Sequence, residues 1–109
     1  MKKVTTLISM ALVTGMTFWQ SQRLTLLEEF TQASCGPCAS QNPALNTLLN
    51  NNTSKVVAIK YQTWWPGYDP MYNQNPAQVS TRVTYYSVTG VPTIRFDGNV
   101  LSGQPNTLT

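Results

Sequence analysis

Two apolar runs on either side of a helical stretch constrain this chain most. "RLTLLEEF" (Arg23 to Phe30) puts Leu24, Leu26, Leu27 and Phe30 on both faces, as a buried strand does. "KVVAIKYQT" (Lys55 to Thr63) is rich in β-branched residues and reads as a second strand. Between them, Gly36 to about Asn50 carries helix signals: Pro37 suits a first turn, and Ala44, Leu45, Leu48 and Leu49 supply an apolar stripe. "NNNTS" (Asn50 to Ser54) ends that helix. Two strands joined through a helix must run parallel, as a right-handed crossover. Beyond them, "WWPGYDPMYNQNP" (Trp64 to Pro76) is a long connection with several aromatics. Asn75-Pro76 reads as an N-cap and a first-turn proline, opening a helix to about Tyr86 with Val79, Val83 and Tyr86 on one face. "TIRF" and "NVLS", around Asp97-Gly98, form a final hairpin. The order β-α-β-α-β-β predicts an α/β domain.

A chain of 109 residues has room for one small domain. Residues 1–22 read as an export signal: "MKK" is a short positive start, and Val4 to Trp19 is mostly apolar but broken by Thr5, Thr6, Ser9, Thr14, Gly15 and Thr17. That run is short and polar for a membrane span, which needs roughly 20 apolar residues. Trp19 is bulky for a cleavage site, so an uncleaved N-terminal anchor is the alternative. The expectation is export to the periplasm, the cell envelope or the medium, with residues 23–109 as the folded domain. Without the leader, five basic residues face four acidic ones, near +1. No basic stripe remains, which argues against a nucleic-acid partner.

The only two cysteines, Cys35 and Cys38, lie three positions apart in "SCGPCASQNP". A structural zinc site needs four ligands, and two cysteines with no histidine cannot supply them, so no metal is expected. The absent histidine also removes the usual base of a cysteine or serine hydrolase. A purely structural bridge is the bland alternative, but so short a loop constrains the unfolded chain little. Exchange chemistry gives the spacing a use. Cys35 at a helix start sits where unpaired N–H groups and the dipole favour a thiolate, and Cys38 one turn on can attack a mixed disulfide.

"CGPC", Pro43 five residues after the second cysteine, and the late "GVPT" (Gly90 to Thr93) before a strand together resemble the thioredoxin family over roughly Leu24 to Leu101. The lead-in "LLEEFT" is more similar to secreted thioredoxin-like proteins of the bacterial envelope. The resemblance implies a thioredoxin-like fold with a central mixed sheet, and a thiol–disulfide oxidoreductase acting on protein thiols, in the reducing direction, without a cofactor. It implies Cys35 as the attacking thiol, Cys38 as the resolving one, and a disulfide between them when oxidised. Glu29 falls where the family has a buried aspartate and would take the proton of Cys38; the competing expectation puts Glu28 inward and Glu29 at the surface. A cis Val91–Pro92 bond would present backbone to an extended client, with Gly36 and Pro37 at the rim of the site. Trp64, Trp65, Tyr68 and Tyr72 could form a wall of the client groove, or simply pack the long loop onto the body. An exported reductant would draw electrons from a membrane partner. Two departures stand out. Ser34 replaces the family's tryptophan, and the chain stops at "GQPNTLT", where the family continues into a last helix. The sequence therefore predicts an incomplete C-terminus with apolar surface left open beside the first helix. The alternative function is a non-catalytic binding module, or a truncated fragment, with a structural disulfide.

Overall fold

A computed structural model describes residues 21–99 and 101–108; Met1 to Gln20, most of the stretch read above as an export signal, lie outside the described residues. Among the described residues four strands and two α-helices follow the expected order: β1 (Thr25–Thr31), α1 (Gly36–Asn51), β2 (Val56–Gln62), α2 (Pro76–Tyr85), β3 (Thr93–Phe96) and β4 (Leu101–Gly103). The sheet order is β2-β1-β3-β4. β1 pairs parallel with β2, from Thr25 opposite Val56 to Thr31 opposite Gln62, and antiparallel with β3. β3 and β4 pair antiparallel, so the sheet is mixed.

As a central strand β1 is covered on both sides, and every residue from Leu27 to Thr31 is buried. Strand alternation sends Leu27, Glu29 and Thr31 toward α1, and Glu28 and Phe30 toward α2. Leu27, Leu45 and Ile94 form the core under α1, bordered by Leu49, Val56, Ala58, Phe96 and Leu108. Phe30, Val79, Val83, Tyr86 and Val88 form the core under α2. Neither helix could bury its stripe alone; the sheet between them supplies both partners.

The helices differ from the sequence expectation in detail. On α1 only Cys38 and Leu45 are buried, with Leu48 and Leu49 half-buried and Ala44 exposed. Asn75 precedes α2, yet its side chain makes no cap bond and donates instead to Gln78 Oε1. The end of α2 is better built. Ser87 adopts a positive φ of 50°, its N–H bonds Thr84 O, and the N–H of Val88 reaches back to Val83 O. That is a Schellman closure, with Val88 packed in the same cluster as Val83. It drops the chain into the Gly90–Val91–Pro92 turn before β3.

Among the described residues no α-helix follows β4. A 3₁₀ turn, Pro105–Thr107, lies against α1 instead, with Pro105 buried and Leu108 packed on the Leu27–Leu45–Ile94 cluster. The expected bare surface beside α1 is thus partly covered by the chain's own last residues. The opposite face of β2 is more open, with Val57 46% and Ile59 42% exposed.

Candidate active site

Cys35 is the N-cap of α1, and its Sγ accepts the N–H of Cys38 at 3.2 Å. Cys35 and Cys38 are joined by a disulfide, their Cα atoms 5.2 Å apart. Both are buried, Cys35 at 3% and Cys38 at 1%, so exposure separates them far less than position does. Cys35 occupies the helix mouth, where the first N–H groups converge. Cys38 lies within the first turn. Gly36 and Pro37 between them are exposed.

The Gly90–Thr93 turn meets this helix start. Val91–Pro92 is cis, Pro92 is fully buried, and Val91 O lies 3.6 Å from Cys35 Sγ. Thr93 Oγ1 donates to Gly90 O at 2.7 Å and closes the turn. Folding therefore unites two segments that are 56 residues apart in the chain.

Glu29 is fully buried beneath α1, in register with Ile94 and flanked along its face by Leu27 and Thr31. Thr31 Oγ1 accepts from Asn42 Nδ2, one turn beyond Cys38, which brings the cysteine end of α1 over this part of β1. Lys60 Nζ stands 2.7 Å from Glu29 Oε2, but off the direction of a hydrogen bond, and among the described residues neither oxygen of Glu29 has a hydrogen-bond partner. The same ammonium donates to Asn46 Oδ1 on α1 at 2.7 Å. Glu29 is thus a water-excluded carboxylate with one counter-ion and unused acceptor capacity.

Glu29 is buried as expected, and the competing expectation of a surface Glu29 fails; Glu28 is buried as well, on the other side of the sheet. Tyr61 Oη donates to Glu28 Oε1 at 2.9 Å, and Arg82 reaches the same oxygen through Nε at 3.0 Å and through its terminal nitrogen at 2.8 Å. Tyr86 Oη donates to Oε2. Burial, reinforced by the bond to Glu28, pushes the Tyr86 hydroxyl up to about 12. Tyr61 is raised too, chiefly by burial. This cluster ties α2 to β1 and β2 away from the disulfide.

The long connection is fastened to the segment before Cys35. Gln32 Nε2 donates to Gly67 O at 2.7 Å, while Gln32 Oε1 accepts from Ser34 N and Ser34 Oγ. Ser34 Oγ also lies 3.1 Å from Tyr68 O. Asp69, 3% exposed, accepts Ala33 N–H on Oδ2 at 2.9 Å and Met71 N–H on Oδ1 at 2.8 Å. Of the aromatics, Trp65 and Tyr72 pack against the Phe30 cluster, whereas Trp64 is 45% and Tyr68 74% exposed. Trp64 rests edge-on against Trp65, with ring centroids 4.7 Å apart. Sequence reading missed Gln32, Lys60 and Asp69. The Asp-Pro pair gave a local hint for Asp69, since aspartate often caps its own backbone two residues on. Nothing local pointed to Ala33.

Among the described residues no three His, Cys, Asp or Glu side chains gather as a metal site, and no helix is long and apolar enough to cross a membrane. No protein-family model matches the sequence, and no curated protein does. Solved structures do resemble it. The germline-specific thioredoxin Deadhead of Drosophila melanogaster superposes with a TM-score of 0.57 at 19% identity, covering 78% of this chain and 74% of its own. A thioredoxin of Malassezia sympodialis gives 0.56 at 18%, covering 77% and 68%. Oxidised thioredoxin O2 of Arabidopsis thaliana gives 0.50 at 25% identity, over 73% of this chain but only 59% of that one. These likenesses show that the fold is thioredoxin-like.

Proposed function

We propose that this chain is an exported thiol–disulfide oxidoreductase that reduces protein disulfides through Cys35 and Cys38. The observation that carries the reading is the disulfide at the mouth of α1, with Cys35 as N-cap facing the Val91–Pro92 turn. In the reduced protein the Cys35 thiolate attacks a client disulfide, forming a mixed disulfide and releasing one client thiolate. Cys38 then loses its proton to Glu29 and attacks Cys35 Sγ. The Cys35–Cys38 bond closes and the second client sulfur leaves, so two electrons pass to the client. A dithiol donor, at the membrane for an exported protein, must return them. Val91 and Pro92, with Gly36 and Pro37, would line the bound client segment, and Trp64 would flank it beside Trp65. Export is supported by the "MKK" start and the broken apolar run after it.

The test is the reduction potential of the pair, with limiting alkylation of the reduced protein. A reducing exchanger is expected near the thioredoxin value of about −270 mV, an oxidant nearer −120 mV, and a purely structural bridge below about −300 mV. Cys35 should be labelled first, because its thiolate is favoured at the helix mouth. A potential below the exchange range, or preferential labelling of Cys38, would refute the assignment.

A further inference from the structure

We propose that Asp69 is a positioning residue that holds the Trp64–Tyr72 connection against the Gln32–Ser34 segment, making Trp64 and Tyr68 a fixed wall that selects clients with apolar side chains beside the reacting cysteine. The inference rests on the disulfide-exchange reading above. Asp69 is buried, yet among the described residues it has no ion pair; its carboxylate is satisfied by main-chain N–H groups from two separate segments. One oxygen takes Ala33, two residues before Cys35. The other takes Met71 and, at 3.4 Å, Tyr72. A carboxylate can bridge two sets of donors because both oxygens accept. Gln32 and Ser34 repeat the connection through Gly67 O and Tyr68 O.

Gly67 shows how closely the two segments approach. A Cβ there would lie 2.5 Å from Ser34 Oγ and 3.3 Å from Ser34 Cβ. Rotating the serine away would break the bond that its one hydroxyl proton shares between Gln32 Oε1 and Tyr68 O, so a side chain at position 67 must displace the serine or lift the connection. The wall itself carries no charge apart from the buried Asp69. "WWPGYDPMY" offers aromatic rings, methionine and backbone, with Tyr68 74%, Met71 52% and Trp64 45% exposed. Tyr68 is one hydrogen bond from Ser34, which adjoins Cys35. A client cysteine flanked by apolar residues suits that surface, and one flanked by charges does not.

Asp69→Asn is a sharp test because it preserves shape while turning one acceptor into a donor that must face an N–H group. One of the two segments loses its tie, and a lost charge-assisted bond shifts an equilibrium by on the order of tenfold. The readouts are kcat and KM for a protein disulfide with apolar flanks, the rate with glutathione disulfide, and proteolysis after the aromatic residues of the connection. For Asp69→Asn and Gly67→Ala we expect KM for the protein substrate to rise about tenfold with kcat changed far less, and faster cleavage of the connection. The glutathione rate should fall much less than the protein rate. Tyr68→Ser, at an exposed position that leaves folding intact, should raise KM without faster cleavage. Unchanged KM in Tyr68→Ser, or an equal fall in both rates for Asp69→Asn, overturns the inference while leaving exchange intact. A wild-type chain that reduces neither substrate sinks the exchange reading and this inference with it.

Discussion

Replacing Glu29 by Gln, and separately Lys60 by Met, should give opposite results in activity and stability. Among the described residues Glu29 is fully buried without a hydrogen-bond partner, and its one ion pair is with the Lys60 ammonium at 2.7 Å. Glu29→Gln leaves that ammonium with Asn46 Oδ1, and its side chain is 29% exposed, so it can turn to water. The cost of the lost pair is offset by removing a desolvated charge, and stability should stay within about 1 kcal/mol of wild type or improve. Lys60→Met instead leaves a carboxylate in the core with no counter-ion. Breaking a buried pair in that direction costs about 3–5 kcal/mol, and the partial exposure of Lys60 puts this case near 3. Set against a total of about 5–15 kcal/mol for a domain, that loss is large.

Activity should follow the other order. Without the Glu29 base, Cys38 must ionise unaided inside the protein, and disulfide reduction near neutral pH should fall by about 10²-fold, the low end of general-base effects. Raising the pH through the ordinary thiol range, about 8.5, should bring the Gln variant back toward wild type. Urea unfolding and reduction rates across that range, on both variants, measure the two effects. Parallel pH profiles for wild type and Glu29→Gln would show that Glu29 is not the base. Equal destabilisation by both substitutions would show that the buried charge is not the quantity that matters.

Two further outcomes follow from the cluster on the other face. Arg82→Met strips two of the donors from fully buried Glu28 and should destabilise by about 3 kcal/mol in chemical unfolding, while Cys35 alkylation is unchanged; a loss below about 1 kcal/mol would mean that the tyrosines suffice. Alkali should also act through Tyr86. Its folded hydroxyl is pushed up to about 12 while the unfolded one ionises near 10, so above pH 10 the unfolded chain releases the proton first. Stability from this group is complete below about 10 and is lost as the pH climbs toward 12; Tyr86→Phe should flatten that slope, and an unchanged slope would refute the assignment.

Element order was legible because it rests on local patterns: β-branched runs, a proline in each first helical turn, and Asp97-Gly98 at the hairpin. The Cys35–Cys38 bridge was legible for the same reason, since it joins two residues three positions apart. What could not be read was whatever depends on which segments meet. Gln32 and Asp69 are polar residues beside turns, the commonest setting for such side chains, and only the folded chain brings Ala33 to Asp69 across 36 positions. Trp64 and Trp65 look equivalent in sequence. The sheet separates them, because Trp65 reaches the Phe30 cluster and Trp64 rests on Trp65.

The paired glutamates show the limit most directly. Adjacent residues on a strand point to opposite faces, so the competing expectation of Glu28 inward and Glu29 at the surface needs one face of the strand to be wet. That premise fails for β1, which lies between β2 and β3 with a helix over each face. Both carboxylates are buried, and their surroundings separate their uses. Glu28 meets four donor groups, three on Oε1 and one on Oε2, so it serves as a fixed anchor between α2 and the sheet. Glu29 faces one ammonium and no hydrogen-bond donor in bonding geometry, beneath the helix that carries the cysteines. The proposed proton transfer from Cys38 is therefore assigned to the less satisfied of two identical side chains, and that difference in surroundings is set by Arg82 and Lys60, which lie far along the chain.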